Sequence, residues 1–157
     1  MRNISIPKAV ISGILATLVM TILTFIAPMM GMPEMNIPKM LSSTMGLPII
    51  AGWMAHFMIG IILSLLYAAV FYNLLRGINA VKGMVFSLIP WLMAQLVVIP
   101  MMSLMNGMSF ASGIFSGSFL MAAGSLMGHL VYGLILGALY FQQSSVVSDN
   151  SLSKVRA

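Results

Sequence analysis

Four runs of apolar residues, 9–30, 48–75, 80–105 and 113–141, contain a single charged side chain between them, Lys82. Each run exceeds the ~20 residues that an α-helix needs to cross a hydrocarbon core about 30 Å thick. Lipid offers no hydrogen-bond partner, so a spanning segment must satisfy its backbone internally, and a helix does this within one segment. The expected fold class is therefore an all-α membrane protein, a bundle of four transmembrane helices. Composition agrees. The chain is 61% hydrophobic and 6% charged, against about 25% charged in a typical soluble domain. At 157 residues there is room for one domain, expected over 1–141. The polar, aperiodic "QQSSVVSDNSLSKVRA" reads as a disordered cytoplasmic tail, 142–157. Basic residues followed by an apolar run also begin a signal peptide. The run 9–30 is too long for one and no small-x-small cleavage site follows it, so it reads as a retained first span.

The connections set neighbours and orientation. "RGINAVKG" between the second and third runs and "NGMSFAS" between the third and fourth are short, which makes sequential helices antiparallel neighbours. Arg2, Lys8, Arg76, Lys82, Lys154 and Arg156 fall on one side of this arrangement, and Lys39 with Glu34 on the other. The positive-inside rule then makes both termini cytoplasmic. Topology thus accounts for the net charge of +5 without a nucleic-acid partner. The longest connection contains "NIPKMLSSTMG". Asn36 can cap a short helix there, Pro38 suits a first turn and Gly46 can end it. Such a helix is expected to lie on the outer membrane surface.

Residues 51–67 set over 124–140 coincide at Met54/Met127, His56/His129, Gly60/Gly133, Ile62/Ile135, Leu63/Leu136, Leu66/Leu139 and Tyr67/Tyr140. This implies a duplicated helical hairpin, repeat 1 about 9–75 and repeat 2 about 80–141. Two spans per copy give parallel repeats about an axis along the membrane normal. His56 and His129 then share a depth. Residues four apart stack on one helix face, so each histidine shares a stripe with small residues: Gly60 and Ser64 in one copy, Gly133 and Gly137 in the other, Gly124 and Gly128 just before. Small-x-x-x-small spacing lets helix backbones approach closely in lipid.

These features carry the functional expectations. An imidazole inside a bundle can simply hydrogen-bond a neighbouring helix. Two neutral imidazoles at one level can instead ligate a b-type haem or a metal ion. Pro90 and Pro100 should kink the third helix, and Gln95 between them can satisfy a freed carbonyl. These three residues form a candidate pore or hinge for a neutral solute. Met29, Met32, Met35, Met102, Met105 and Met108 make a candidate thioether cluster near the outer ends, of the kind that selects Cu(I), though methionine also fills irregular cores. No cysteine is present, which excludes disulfides and thiol chemistry. Glu34 and Asp149, the sole carboxylates, lie outside the runs, and no nucleotide-binding glycine loop occurs. The expectation is a non-enzymatic accessory or assembly component of the inner membrane. A haem- or metal-binding subunit and a small channel or carrier are the alternatives. The lipid bilayer is its first partner, with a homo-oligomer or a larger membrane complex as further partners.

The order "GILATLVMTILTFIAPMMGMPEMN", "GWMAHFMIGIILSLLY", "GSLMGHLVYGLILGALY" resembles a family of small bacterial four-helix membrane proteins known as a domain of unknown function. The resemblance runs over about residues 9–141 and rests on the Ala/Gly-His-x-x-x-Gly stripe and the Pro-Met-x-Gly turn. It implies a four-helix fold and a bacterial inner-membrane location, and it supplies no catalytic residues.

Overall fold

A computed structural model of the chain describes residues 4–141, and the expected tail, 142–157, lies outside them. Five helices of nine residues or more order the described residues: α1 (Ile6–Met30), α2 (Ile37–Met45), α3 (Ile49–Leu74), α4 (Asn79–Met105) and α5 (Phe119–Leu139). All but α2 are long and apolar enough to cross a membrane, and no strand occurs among the described residues. α1 starts before the apolar run because Pro7 sits in its first turn, where a missing N–H costs nothing. α2 forms where its caps require it. The Asn36 side chain accepts the Lys39 N–H at 3.0 Å, and Gly46, at φ 64°, ends the helix in the left-handed region. α2 then lies against α3, where Gly52 leaves space for the Pro38 carbonyl.

The fourth span is shorter than expected. Residues 113–118 do not continue the helix: a turn at Phe110–Gly113 and a 3-10 turn at Ile114–Gly117 precede α5. Phe115 and Ser116 have φ of 50° and 57°, a region that side chains with a Cβ rarely occupy. The turn is held against α4 instead. The Ser116 hydroxyl donates to Gln95 Oε1 at 2.8 Å, and Gly113 sits against the Pro100 backbone. Where a kink was expected, α4 contains a π turn, Ala94–Val98. It ends just before Pro100, whose ring has no N–H to return to the carbonyl one turn back. A second π turn, Tyr67–Phe71, interrupts α3.

The spans are arranged in the order α3, α1, α5, α4 around the bundle: α1 packs on both α3 and α5, and α5 on α4. α4 meets α3 chiefly through the Tyr67–Phe71 turn and the residues just after it. At that end Tyr67, Tyr72, Phe86 and Tyr140 are buried together, with ring centroids 5.2 Å apart for Tyr67–Phe86 and Tyr72–Tyr140. Lys8, bonded to the Phe141 carbonyl at 2.8 Å, and Lys82, over the Tyr72 ring, stand beside them. This is the basic end. Toward the α2 end, α3 and α4 diverge.

Small residues set the closest approaches. In α1/α3, Gly13 faces Gly60 and Ser64, and Thr17 lies over Gly60. In α4/α5, Gly83 faces Gly133 and Gly137, and Ser87 lies over Gly133. Close backbone contact of this kind substitutes for the hydrophobic force that lipid does not supply between helices.

Candidate functional site: an intramembrane cavity with two imidazoles

The divergence of α3 from α4 leaves a cavity of about 350 Å³ among the four spans. Its walls are almost wholly apolar. The polar residues that reach it are Thr17, Thr24, His56, Ser125, His129 and Tyr132. α2 and the segment leading into it cover the far end with Met35, Ile37, Met40 and Leu41, while Phe86 and Leu66 line the side toward the aromatic cluster. A separate groove of about 410 Å³ lies on the surface beside Pro7 and Leu139 and has no imidazole.

Both histidines line this one cavity, and the hydrogen bonds around them fix what each can do. The Thr21 hydroxyl donates its proton to the Thr17 carbonyl at 2.7 Å. With that proton so placed, its oxygen is the acceptor in the 2.9 Å contact with His56 Nε2, and the network assigns the imidazole N–H to Nε2. In neutral imidazole one nitrogen donates and the other accepts, so His56 Nδ1 holds a lone pair. His129 reaches the same state differently. Its Nδ1 lies 2.8 Å from the Ser125 carbonyl, which can only accept, so Nδ1 bears the hydrogen and Nε2 the lone pair. Neither Nδ1 of His56 nor Nε2 of His129 has a hydrogen-bond partner among the described residues.

The other cavity donors are engaged. The Thr17 hydroxyl donates to the Gly13 carbonyl at 2.8 Å and that of Thr24 to the Thr21 carbonyl at 2.9 Å. Tyr132 donates across the bundle to the Gly60 carbonyl at 2.6 Å. The Ser125 hydroxyl alone remains uncommitted. The cavity thus presents two imidazole acceptors and one adaptable hydroxyl on an apolar surface.

The remaining sequence candidates are dispersed. Pro90 lines the cavity, but Gln95 is buried away from it against Ser116, and Pro100 faces Gly113, so these three do not form one path. Their pairing with residues 113–116 is what removes them from the cavity. Of the thioethers, Met35 lines the cavity and lies with Met32 over Gly124. Met102 is buried elsewhere, and Met29, Met105 and Met108 are exposed, so the six do not form one cluster. Among the described residues no three His, Cys, Asp or Glu side chains come together. Gly60, Ser64, Gly133 and Gly137 stand at helix contacts, whereas Gly124 meets methionine methyl groups and Gly128 meets Met20 and Thr24 side chains at ordinary distance. Gly124 and Gly128 therefore border side chains rather than a neighbouring backbone.

Sequence reasoning missed Thr17, Thr21 and Thr24, although they were visible as a polar stripe at i, i+4 and i+7 in an otherwise apolar span. It also missed Tyr132, whose partner lies on a helix that sequence order does not make adjacent.

A helical, multi-pass membrane protein with a cavity inside its spans is the class that this geometry defines. Within that class the chain belongs to DUF6789, a family of unknown function, whose profile matches residues 3–148. No curated protein and no solved structure matches the chain.

Proposed function

We propose that this chain is a non-enzymatic protein of the inner membrane that holds a ligand in the cavity between its spans, and that His56 and His129 are the residues that recognise it. One observation carries the reading: two imidazoles line one cavity, each with one nitrogen hydrogen-bonded to the protein and the other unpartnered. The cavity falls in the range of about 300–1,000 Å³ usual for ligand sites. Polar side chains inside a membrane are costly, and functional sites are where they collect. A role in assembly, with the protein as a homo-oligomer or a subunit of a larger complex, remains compatible with ligand holding.

The duplication reading is supported by the contacts. Gly60 and Gly133 occupy the same repeat position, as do Ser64 and Gly137, and each pair faces a glycine of the preceding span, Gly13 or Gly83. Cytoplasmic termini are supported by Lys8 and Lys82 standing together at the basic end. A b-type haem fits less well than an organic ligand. Its carboxylates need cationic partners, and no Lys or Arg lines the cavity. A bare metal ion would keep its charge between neutral rings, with no carboxylate in any span to balance it.

Native mass spectrometry of the protein released from membranes tests the reading. Wild type should carry a bound small molecule, and Gly128→Leu should lose it. That substitution fills the cavity, and its Cβ meets only side chains, 3.5 Å from Met20 Cγ. A ligand-free wild type, or an adduct indifferent to Gly128→Leu, overturns the proposal. An absorbance spectrum and metal analysis of the same sample identify haem or metal if either is the ligand.

A further inference from the structure

The exposed residues of the cavity lining are Ile59 and Leu66 of α3 and Ile89, Met93 and Val98 of α4, each between 44% and 51% exposed. Every other wall residue, from α1, α2, α5 or the inner faces of α3 and α4, is buried or half-buried. The cavity therefore opens sideways, through the seam where α3 and α4 part. That seam faces acyl chains rather than water, because the residues on either side of it are the apolar outer faces of two spans. A molecule that reaches the histidines by this route must be soluble in the bilayer and uncharged.

The chemistry at the end of the route narrows the class further. Four of the six polar neighbours that could have offered a proton already give it to a carbonyl or hydroxyl of the protein: Thr17, Thr24, Tyr132 and the His56 N–H. The His129 N–H is held by its own helix as well. Two lone pairs are left over. A ligand bearing only carbonyl or ether oxygens would set acceptor against acceptor, and a buried acceptor without a donor is unfavourable. A ligand bearing hydroxyl groups satisfies both nitrogens.

On these grounds, and resting on the cavity reading above, we infer that the ligand is a neutral, lipid-soluble molecule with two hydroxyl donors, of the hydroquinone type, which enters between α3 and α4 and gives its hydrogen bonds to His56 Nδ1 and His129 Nε2. The Ser125 hydroxyl, one helical turn before His129, is free to accept or donate at the same ligand. No bond is made or broken in this step.

The probes are a short-chain prenylated benzohydroquinone and its dimethyl ether, which keeps the shape and apolar surface but has no donor. Each is equilibrated under argon with the full chain in lipid nanodiscs, and bound probe is measured by mass spectrometry against protein-free nanodiscs. The hydroquinone should bind about tenfold or more tightly than the ether, the ratio expected when buried acceptors lose their donors. His129→Phe, which keeps an apolar ring, should lower that ratio severalfold, since one of the two acceptors is gone. Equal binding of both probes to wild type, with both lost in Gly128→Leu, would overturn the donor inference and leave the cavity reading standing. Failure of the hydroquinone to exceed the protein-free control removes the inference. Stoichiometric binding of Cu(I) or Zn(II) that is lost in His56→Ala and His129→Ala assigns the nitrogens to a metal and likewise overturns it.

Discussion

The α1/α3 hairpin and the α4/α5 hairpin close in the same way and hold their histidines in opposite ways. In both, a glycine of the first span faces small residues of the second, and a hydroxyl residue, Thr17 or Ser87, covers the glycine that follows the histidine by one turn. The histidine itself is bonded across the helix interface in the first hairpin, to Thr21. In the second it bonds within its own helix, to the Ser125 carbonyl, and Trp91 of the partner span instead donates to the Ala122 carbonyl at 3.2 Å. A shared backbone contact thus permits divergent polar chemistry above it. His56 is both a tie between helices and a cavity residue, while His129 ties nothing together.

The backbone contacts should be the hardest to break. Gly133→Val places a branched side chain against the Gly83 carbonyl and the Ser87 hydroxyl, with no flexible group to yield. The expected loss is about 3 kcal/mol, at the upper end for overpacking, measured by reversible unfolding in mixed micelles. Gly128→Ala makes only ordinary contacts with side chains and should change stability little. Equal losses from the two would mean that the glycines do not differ as the contacts say.

Next in size is a buried bond between the hairpins. Tyr132→Phe removes the donor to the Gly60 carbonyl while leaving the ring in place. Its cost should be about 1 kcal/mol in the same assay, the net worth of a buried hydrogen bond. An unchanged midpoint would show that the Gly60 carbonyl finds another donor.

These contrasts mark the limit of what could be read before the structure. The four spans were legible because length and apolar content suffice to define a membrane helix, and α2 because Asn36, Pro38 and Gly46 are local cap signals. The pairing of histidines with small residues was legible in the recurring spacing. The break at residues 113–118 was not, because it depends on Ser116 finding Gln95 on another span. The cavity was not legible either. It exists because α3 and α4, although consecutive, separate toward the α2 end, whereas short connections lead one to expect that consecutive helices pack along their whole length. The donor and acceptor states of the two rings depend on Thr21 and Ser125, and only the fold brings Thr21 to His56.

A smaller effect separates the two histidines from each other. Thr21→Val keeps the shape of the side chain and removes the oxygen that accepts the His56 N–H. Intramembrane hydrogen bonds between helices average about 0.6 kcal/mol, and a loss of that order is expected here. His56→Phe should show a similar loss, and the double substitution Thr21→Val/His56→Phe should add little, since both remove one bond. Additive losses would mean that His56 contributes through some other contact.

The smallest expected effect on folding belongs to His129, and it is the one that distinguishes packing from recognition. Its ring nitrogen bonds a carbonyl four residues back on α5, and no side chain or backbone group of another helix takes part. His129→Phe fills a similar volume and should leave the unfolding midpoint within error of wild type. If the histidine were a structural residue alone, nothing further would change. On the reading argued above, this substitution removes one of two acceptors in the cavity while the bundle around it stays intact. A protein as stable as wild type whose preference for the hydroquinone over its dimethyl ether has fallen severalfold is then the expected phenotype. Thr21→Val should show the complementary pattern, losing stability while retaining part of the preference, because His56 keeps an imidazole in the cavity without its anchor. If both variants lost stability together and preference together, the two rings would be held alike, and the difference between the hairpins would have no consequence for binding.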